Sequence, residues 1–262
     1  MEHAVELHDV TQVYVTDRGA TLAVEKIAFQ VEPGEFVSLI GPSGCGKTTI
    51  LSIIAGLLAP TRGRVFVGGR PVAGPSPQVG YMLQQDYLFP WRTIYGNIVL
   101  GLELMNRRDP ASRDYALHLL KEMGLGDRGS QYPHQLSGGM RQRAALVRTL
   151  ATKPDILLLD EPFSALDYQT KLQLEDLVVQ TLRTHKKTAI LVTHDISEAI
   201  AMSDRVIVLE PDPGKIRREF AMPEPLKRAL PLEAREKEGF HDIFREIWEE
   251  FVRLDPGKGD GR

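Results

Sequence analysis

Alternating or β-branched runs at residues 5–10, 27–31 and 64–67 predict a series of N-terminal strands, with Gly68-Gly69 as a turn. Phe36–Ile40 (FVSLI) is an unbroken apolar run of strand length, whereas residues 49–55 carry helical spacing. Further strands are expected at 79–83, Ile156–Asp160, Thr188–Thr193 and 205–209. The last three alternate with helical patterns, which predicts an α/β fold of parallel strands sandwiched by helices. Strand signals lapse between residues 94 and 151, and helices replace them, one at 112–123 bounded by Pro110 and Gly124. That stretch reads as an all-helical insertion in the α/β core. After a break at 211–214, residues 232–254 predict one amphipathic helix with Phe240, Ile243, Phe244, Ile247, Trp248 and Phe251 at helical spacing. The expected organisation is a core domain over 1–231 and a terminal helix with a disordered tail over 232–262.

With 262 residues, 42% hydrophobic and 26% charged, the chain has the apolar content of a globular domain and is neither disordered nor fibrous. A net charge of -3 supplies no overall basic footprint, so no nucleic-acid partner is expected. One cysteine, Cys45, excludes an internal disulfide and fits a reducing compartment. The start, MEHAVELHDV, has neither a basic leader nor an apolar core, so no signal peptide is expected. The longest apolar stretch, 50–59, contains Ser52 and Gly56 and falls far short of the ~20 residues that span a bilayer. Work at a membrane would go through partner chains.

Between the FVSLI strand and the following helix lies Gly41-Pro42-Ser43-Gly44-Cys45-Gly46-Lys47-Thr48, a match to the phosphate-binding pattern G-x-x-x-x-G-K-[ST]. The chemistry needs this placement, because free N–H groups and the positive end of the helix dipole favour an anion at a helix start. Gly41, Gly44 and Gly46 let the backbone approach phosphate oxygens. Lys47 brings a mobile positive charge, and the Thr48 hydroxyl is placed to hold a magnesium ion. Cys45, beside Lys47 at this helix start, is expected to have a lowered thiol pKa, so that alkylation inhibits and bound nucleotide protects.

Ile156–Asp160 is an apolar strand that runs into a second carboxylate, Glu161. Side chains adjacent on a strand point to opposite faces, so Asp160 is expected to take the metal side and Glu161 to polarise a water as general base. Leu136-Ser137-Gly138-Gly139-Met140, followed by Arg141-Gln142-Arg143, builds another exposed helix start and a second anion nest far along the chain.

On these residues the chain resembles the nucleotide-binding subunits of ATP-binding cassette (ABC) transporters. LSGGMRQR is similar to the family signature, and Ser164-Ala165-Leu166-Asp167 and His194 match the next landmarks in order, over about residues 5–209. The resemblance implies a P-loop NTPase core with an antiparallel β subdomain and an inserted α-helical subdomain. It implies ATP with Mg2+ as cofactors and a homodimer in which Ser137, Gly138 and Gly139 of one subunit cover nucleotide held by Gly41 to Thr49 of the other. Carried over residue by residue, Tyr14 resembles the aromatic that stacks on adenine. Gln84, with Gln85 beside it, resembles the glutamine that contacts magnesium and the attacking water. Asp167, the last residue of its landmark, is carried over with the nucleotide-binding residues, and His194 resembles the switch histidine at the γ phosphate.

Leu88-Phe89-Pro90-Trp91-Arg92-Thr93 and the GPSGCGKTT loop are similar to subunits of importers for nitrate, sulfonates, taurine and pyrimidine thiamine precursors. That branch implies two transmembrane permease subunits, an extracytoplasmic solute-binding protein and a peripheral place on the cytoplasmic face of the plasma membrane. Phe89 and Trp91 are then candidates to meet a permease helix, with Trp91 equally a candidate for the core of the helical insertion. A non-transport mechanotransmission complex at the membrane is the alternative. A chromosome ATPase would carry a long coiled coil between Lys47 and Ser137, and that interval here is too short for one.

Overall fold

The computed structural model describes residues 2–254 apart from Arg18, Arg108 and Ala165. Ala165 of the Ser164–Asp167 landmark and the tail from Asp255 therefore lie outside the described residues. In chain order the strands are β1 (Val5–Thr16), β2 (Gly19–Val31), β3 (Phe36–Ile40), β4 (Arg62–Val67), β5 (Arg70–Pro71), β6 (Val79–Met82), β7 (Ile156–Asp160), β8 (Thr188–Thr193), β9 (Arg205–Glu210) and β10 (Lys215–Ala221). The helices are α1 (Lys47–Ile54), α2 (Ile94–Ile98), α3 (Leu100–Leu104), α4 (Pro110–Glu122), α5 (Gly138–Ala151), α6 (Tyr168–Thr184), α7 (Ile196–Met202), α8 (Glu224–Arg228), α9 (Pro231–Ala234) and α10 (Phe240–Leu254).

The strands form two sheets. One has four strands in the order β2-β1-β4-β5, all antiparallel. The other has six in the order β10-β9-β3-β8-β7-β6, parallel from β9 to β6 with β10 antiparallel at the edge. Helices α2 to α5 fill the chain between β6 and β7. The mixed α/β fold with an antiparallel sheet and a helical insertion is thus present.

Alternation along the parallel strands divides the core. On β7, Leu157 and Leu159 pack with α4, α5 and α6, while Ile156 and Leu158 pack with α1 and the antiparallel sheet. A strand covered on both faces carries apolar side chains at every position, which is why LLL is continuous there. A third cluster joins Ile40, Val206 and Val208 to α7 and the C-terminal helices. Helix α1 has only eight residues and would be marginal alone. Ile50, Leu51, Ile53 and Ile54 are fully buried beneath it, each worth roughly 1.5–3 kcal/mol, and hold it in place.

Two expectations need correction. Strand β10 was not anticipated, because Lys-Ile-Arg-Arg-Glu-Phe-Ala is mostly polar; it is an edge strand, where charge on the exposed side is usual. Residues 232–254 do not form one helix. Pro231 starts α9 at its first turn, and Gly239, at φ +88°, separates it from α10.

Candidate active site

The strand order places the chemistry. In the neighbouring parallel strands β3, β8, β7 and β6, the C-terminal ends lead into the glycine loop, His194, Asp160-Glu161 and Gln84 respectively. Open α/β sheets bind ligands at that edge.

Gly46 is the residue before α1 and is left-handed at φ +89°; a Cβ there would lie 2.2 Å from Val24 Cγ1, so no other residue fits. Lys47 Nζ turns back over the loop and donates to the carbonyls of Gly41 at 2.8 Å and Pro42 at 3.0 Å. Thr48 Oγ1 donates to Asp160 Oδ1 at 3.2 Å, and Tyr81 Oη donates to Asp160 Oδ2 at 3.2 Å. Asp160 is buried, and burial pushes its carboxyl up despite these donors. Burial, with Asp160 beside it, likewise pushes the Tyr81 phenol up. Tyr14 Oη lies 3.2 Å from Thr49 Oγ1, which joins the hairpin of the antiparallel sheet to the first turn of α1.

Cys45 overturns its expectation. Its side chain is fully buried, and burial raises the thiol pKa more than Lys47, with Nζ 3.7 Å from Sγ, lowers it. Position at a helix start was outweighed by packing against Val24 and Leu209 in the core.

Glu161 follows β7 in a left-handed conformation, φ +47°, which is strained for a residue with a Cβ. Its carboxylate meets partners different from those of Asp160. Oε2 lies 3.4 Å from the Gln84 amide nitrogen and 3.3 Å from His194 Nδ1. Gln84 also donates to Ser164 Oγ at 3.3 Å, while its backbone carbonyl accepts from Gln142 Nε2 at 3.1 Å. It is Gln84, therefore, that meets Glu161. Arg141 Nε donates to Asp86 Oδ2 at 3.0 Å, so α5 holds the segment after Gln84 from both sides.

Ser137 caps α5, with Oγ accepting from Met140 N at 3.4 Å, and Gly139 fits closely against Thr170, where a Cβ would lie 2.4 Å from Cγ2. Asp167 caps α6 by accepting from Thr170 N at 3.0 Å. Gly138 lines a surface pocket with Gln84, Asp86, Arg141 and Ser164, and the phosphate loop takes no part in it. The pocket at the Ser137 helix start is thus formed without the phosphate loop of the same chain. Trp91 is 71% exposed, with its ring 5.2 Å from Phe89, so it is not core.

Sequence reasoning missed Tyr81 and a charged group behind His194. There Lys171 Nζ contacts Asp195 Oδ2 at 2.7 Å and Glu198 Oε2 at 2.6 Å, and Glu175 Oε2 contacts Arg235 Nη2 at 2.6 Å. The i,i+4 spacing of Lys171 and Glu175 was the available signal.

The ABC transporter family model matches residues 24–164. An ABC transporter ATP-binding protein of Bacillus subtilis, YtlC, is 53% identical over 94% of this chain and 95% of its own length. The aliphatic sulfonates import ATP-binding protein SsuB of Bacillus licheniformis is 41% identical over 88% of each. Taurine and nitrate import ATP-binding proteins align at about 40% identity. A dimeric post-hydrolysis structure of the ATP-binding cassette MJ0796 with ADP and Pi superposes with TM-score 0.74 at 34% identity, covering 84% of this chain and 99% of that one. Sequence and fold agree, and the chain belongs to the ABC transporter family as an ATP-binding subunit, an ATPase of the cassette type.

Proposed function

We propose that this subunit powers a bacterial importer of a small solute, of the nitrate, sulfonate, taurine or pyrimidine type, by closing as a homodimer over ATP. The observation that carries the reading is that the pocket at the Ser137 helix start takes in no residue of the phosphate loop, and in this reading a second copy completes each of the two. In that arrangement Gly41 to Thr49 bind the phosphates through backbone N–H groups and Lys47, Tyr14 stacks on the base, and Ser137, Gly138 and Gly139 of the twin cover the terminal phosphate. Asp167 joins the two copies beside it.

Thr48 Oγ1 and the Asp160 carboxylate offer hard oxygen donors 3.2 Å apart, a set that suits magnesium, and the buried Asp160 charge gains from a cation. Thr48, Asp160 and Gln84 would hold the ion, which neutralises charge developing on the phosphate oxygens. Glu161 accepts a proton from the attacking water as Gln84 orients that water, and His194 contacts the γ phosphate. The left-handed turn at Glu161 lets adjacent carboxylates serve these different tasks.

Among the described residues no helix is long and apolar enough to cross a membrane. A peripheral place on the cytoplasmic face, on two permease subunits served by a solute-binding protein, fits the import proteins among the relatives and the exposed Trp91, packed against the half-buried Phe89 beside the Gln84 segment. Ser137→Arg tests the reading. The variant should bind ATP as the single copy does, yet neither dimerise with ATP nor turn over. A lone copy that hydrolyses at full rate overturns it.

A further inference from the structure

Behind His194, two cations are shared among carboxylates of α6 and of α7 with its cap. Lys171 on α6 reaches Asp195, the cap of α7, and Glu198 on α7. Four residues along α6, Glu175 is fully buried and lies 3.9 Å from the same ammonium. Its other oxygen is held by Arg235, just past α9, at 2.6 Å. Asp195 accepts from Ser197 N at 2.8 Å and Glu198 N at 3.2 Å, so its position sets that of the loop bearing His194. A cavity of about 200 Å³, lined by Glu161, His194, Lys171 and Glu198 among others, lies between this group and the site and leaves the loop room to shift.

We propose that the C-terminal segment positions the His194 loop for hydrolysis: Arg235 occupies Glu175, which frees Lys171 to hold Asp195 and Glu198. Without Arg235, Glu175 has only Lys171 to neutralise it and draws the ammonium from Asp195, 2.7 Å away, along α6. The His194 loop then loses the tie from Asp195 Oδ2 to α6 and keeps only the bonds of Asp195 Oδ1 within the cap of α7. Burial pushes the Glu175 carboxyl up to about 7 while Arg235 pulls it down, so loss of Arg235 raises it further and the competition for Lys171 is strongest at alkaline pH, where Glu175 ionises. The segment is held to α6 elsewhere too: Leu232 N donates to Asp176 Oδ1 at 2.9 Å, and Arg183 donates to the carbonyl of Ala229 at 3.0 Å. Arg235 acts through Glu175 and Lys171, so it is a positioning residue.

The inference rests on the reading of His194 given above. In the full-length chain at pH 8.5, Arg235→Met should lower kcat about five- to tenfold while KM for ATP stays within twofold. Glu175→Gln alone should leave kcat near wild type. The double variant should recover to within twofold of wild type, since a neutral amide at that position no longer competes for Lys171. The groups facing Glu175 are Lys171 on its own helix, Glu198 on α7 and Arg235 beyond α9, so the Arg235→Met defect should shrink from pH 8.5 to pH 6 as Glu175 protonates. Arg235→Gln serves in the same comparisons should Arg235→Met fail to fold. A kcat unchanged in the single variant, a parallel loss of ATP affinity, or a double variant as slow as the single overturns the proposal. His194→Ala separates the two levels: if it turns over normally, the site reading itself fails, whereas its collapse beside a normal Arg235→Met overturns only this inference.

Discussion

Tyr81 and Asp160 are joined across neighbouring strands, the phenol donating to Oδ2 at 3.2 Å while Thr48 donates to Oδ1 of the same buried carboxylate at 3.2 Å. The two donors fix the plane of the carboxylate. Tyr81→Phe leaves one buried oxygen unpaired, at a stability loss of about 1–3 kcal/mol. Urea unfolding should show that loss, and the magnesium concentration needed for half-maximal ATP binding should rise. Unchanged values of both would show that Thr48 alone orients the group.

Glu161→Gln keeps the side chain's shape and removes its basicity. ATP binding should persist and a dimer should accumulate with nucleotide, while phosphate release falls by about 10²–10⁴. Size exclusion with ATP and a phosphate-release assay read the two effects separately, and wild-type turnover would remove Glu161 from the role of base.

Cys45 should resist alkylation. A fully buried thiol with a raised pKa offers little thiolate at neutral pH, so iodoacetamide should modify the folded chain slowly whether or not ATP is present, and quickly only after unfolding. Rapid labelling of the native protein at pH 7 would contradict the buried placement.

Glu175 makes stability depend on pH. Its folded value of about 7 lies above the ordinary 4.5, so between those values the folded chain binds more protons than the unfolded one. Stability contributed by the protonated form is complete below about pH 4.5 and is lost as pH rises through 7. Glu175→Gln should remove that part of the slope, so that wild type loses on the order of 1–3 kcal/mol relative to the variant between pH 4.5 and pH 8. Denaturant melts at the two ends measure it, and parallel profiles would refute it.

Much of the site was legible because its parts are local. A glycine loop between strand and helix, an apolar strand ending in two acids and a serine-capped helix start are each set by residues within one turn or one strand, whose backbone geometry follows from nearest neighbours. The sequence by itself determined those pieces and the alternation of strands and helices around them. Tertiary structure decided which pieces meet: the β3-β8-β7-β6 order that sets Asp160, His194 and Gln84 side by side, and the Tyr81 contact with a carboxylate 79 residues away. It also decided the fate of Cys45, where burial overrode the local field, and the tie from Arg235 to Glu175 across 60 residues. Desolvation and ion pairing depend on what packs around a group from distant parts of the chain, and no local pattern records that.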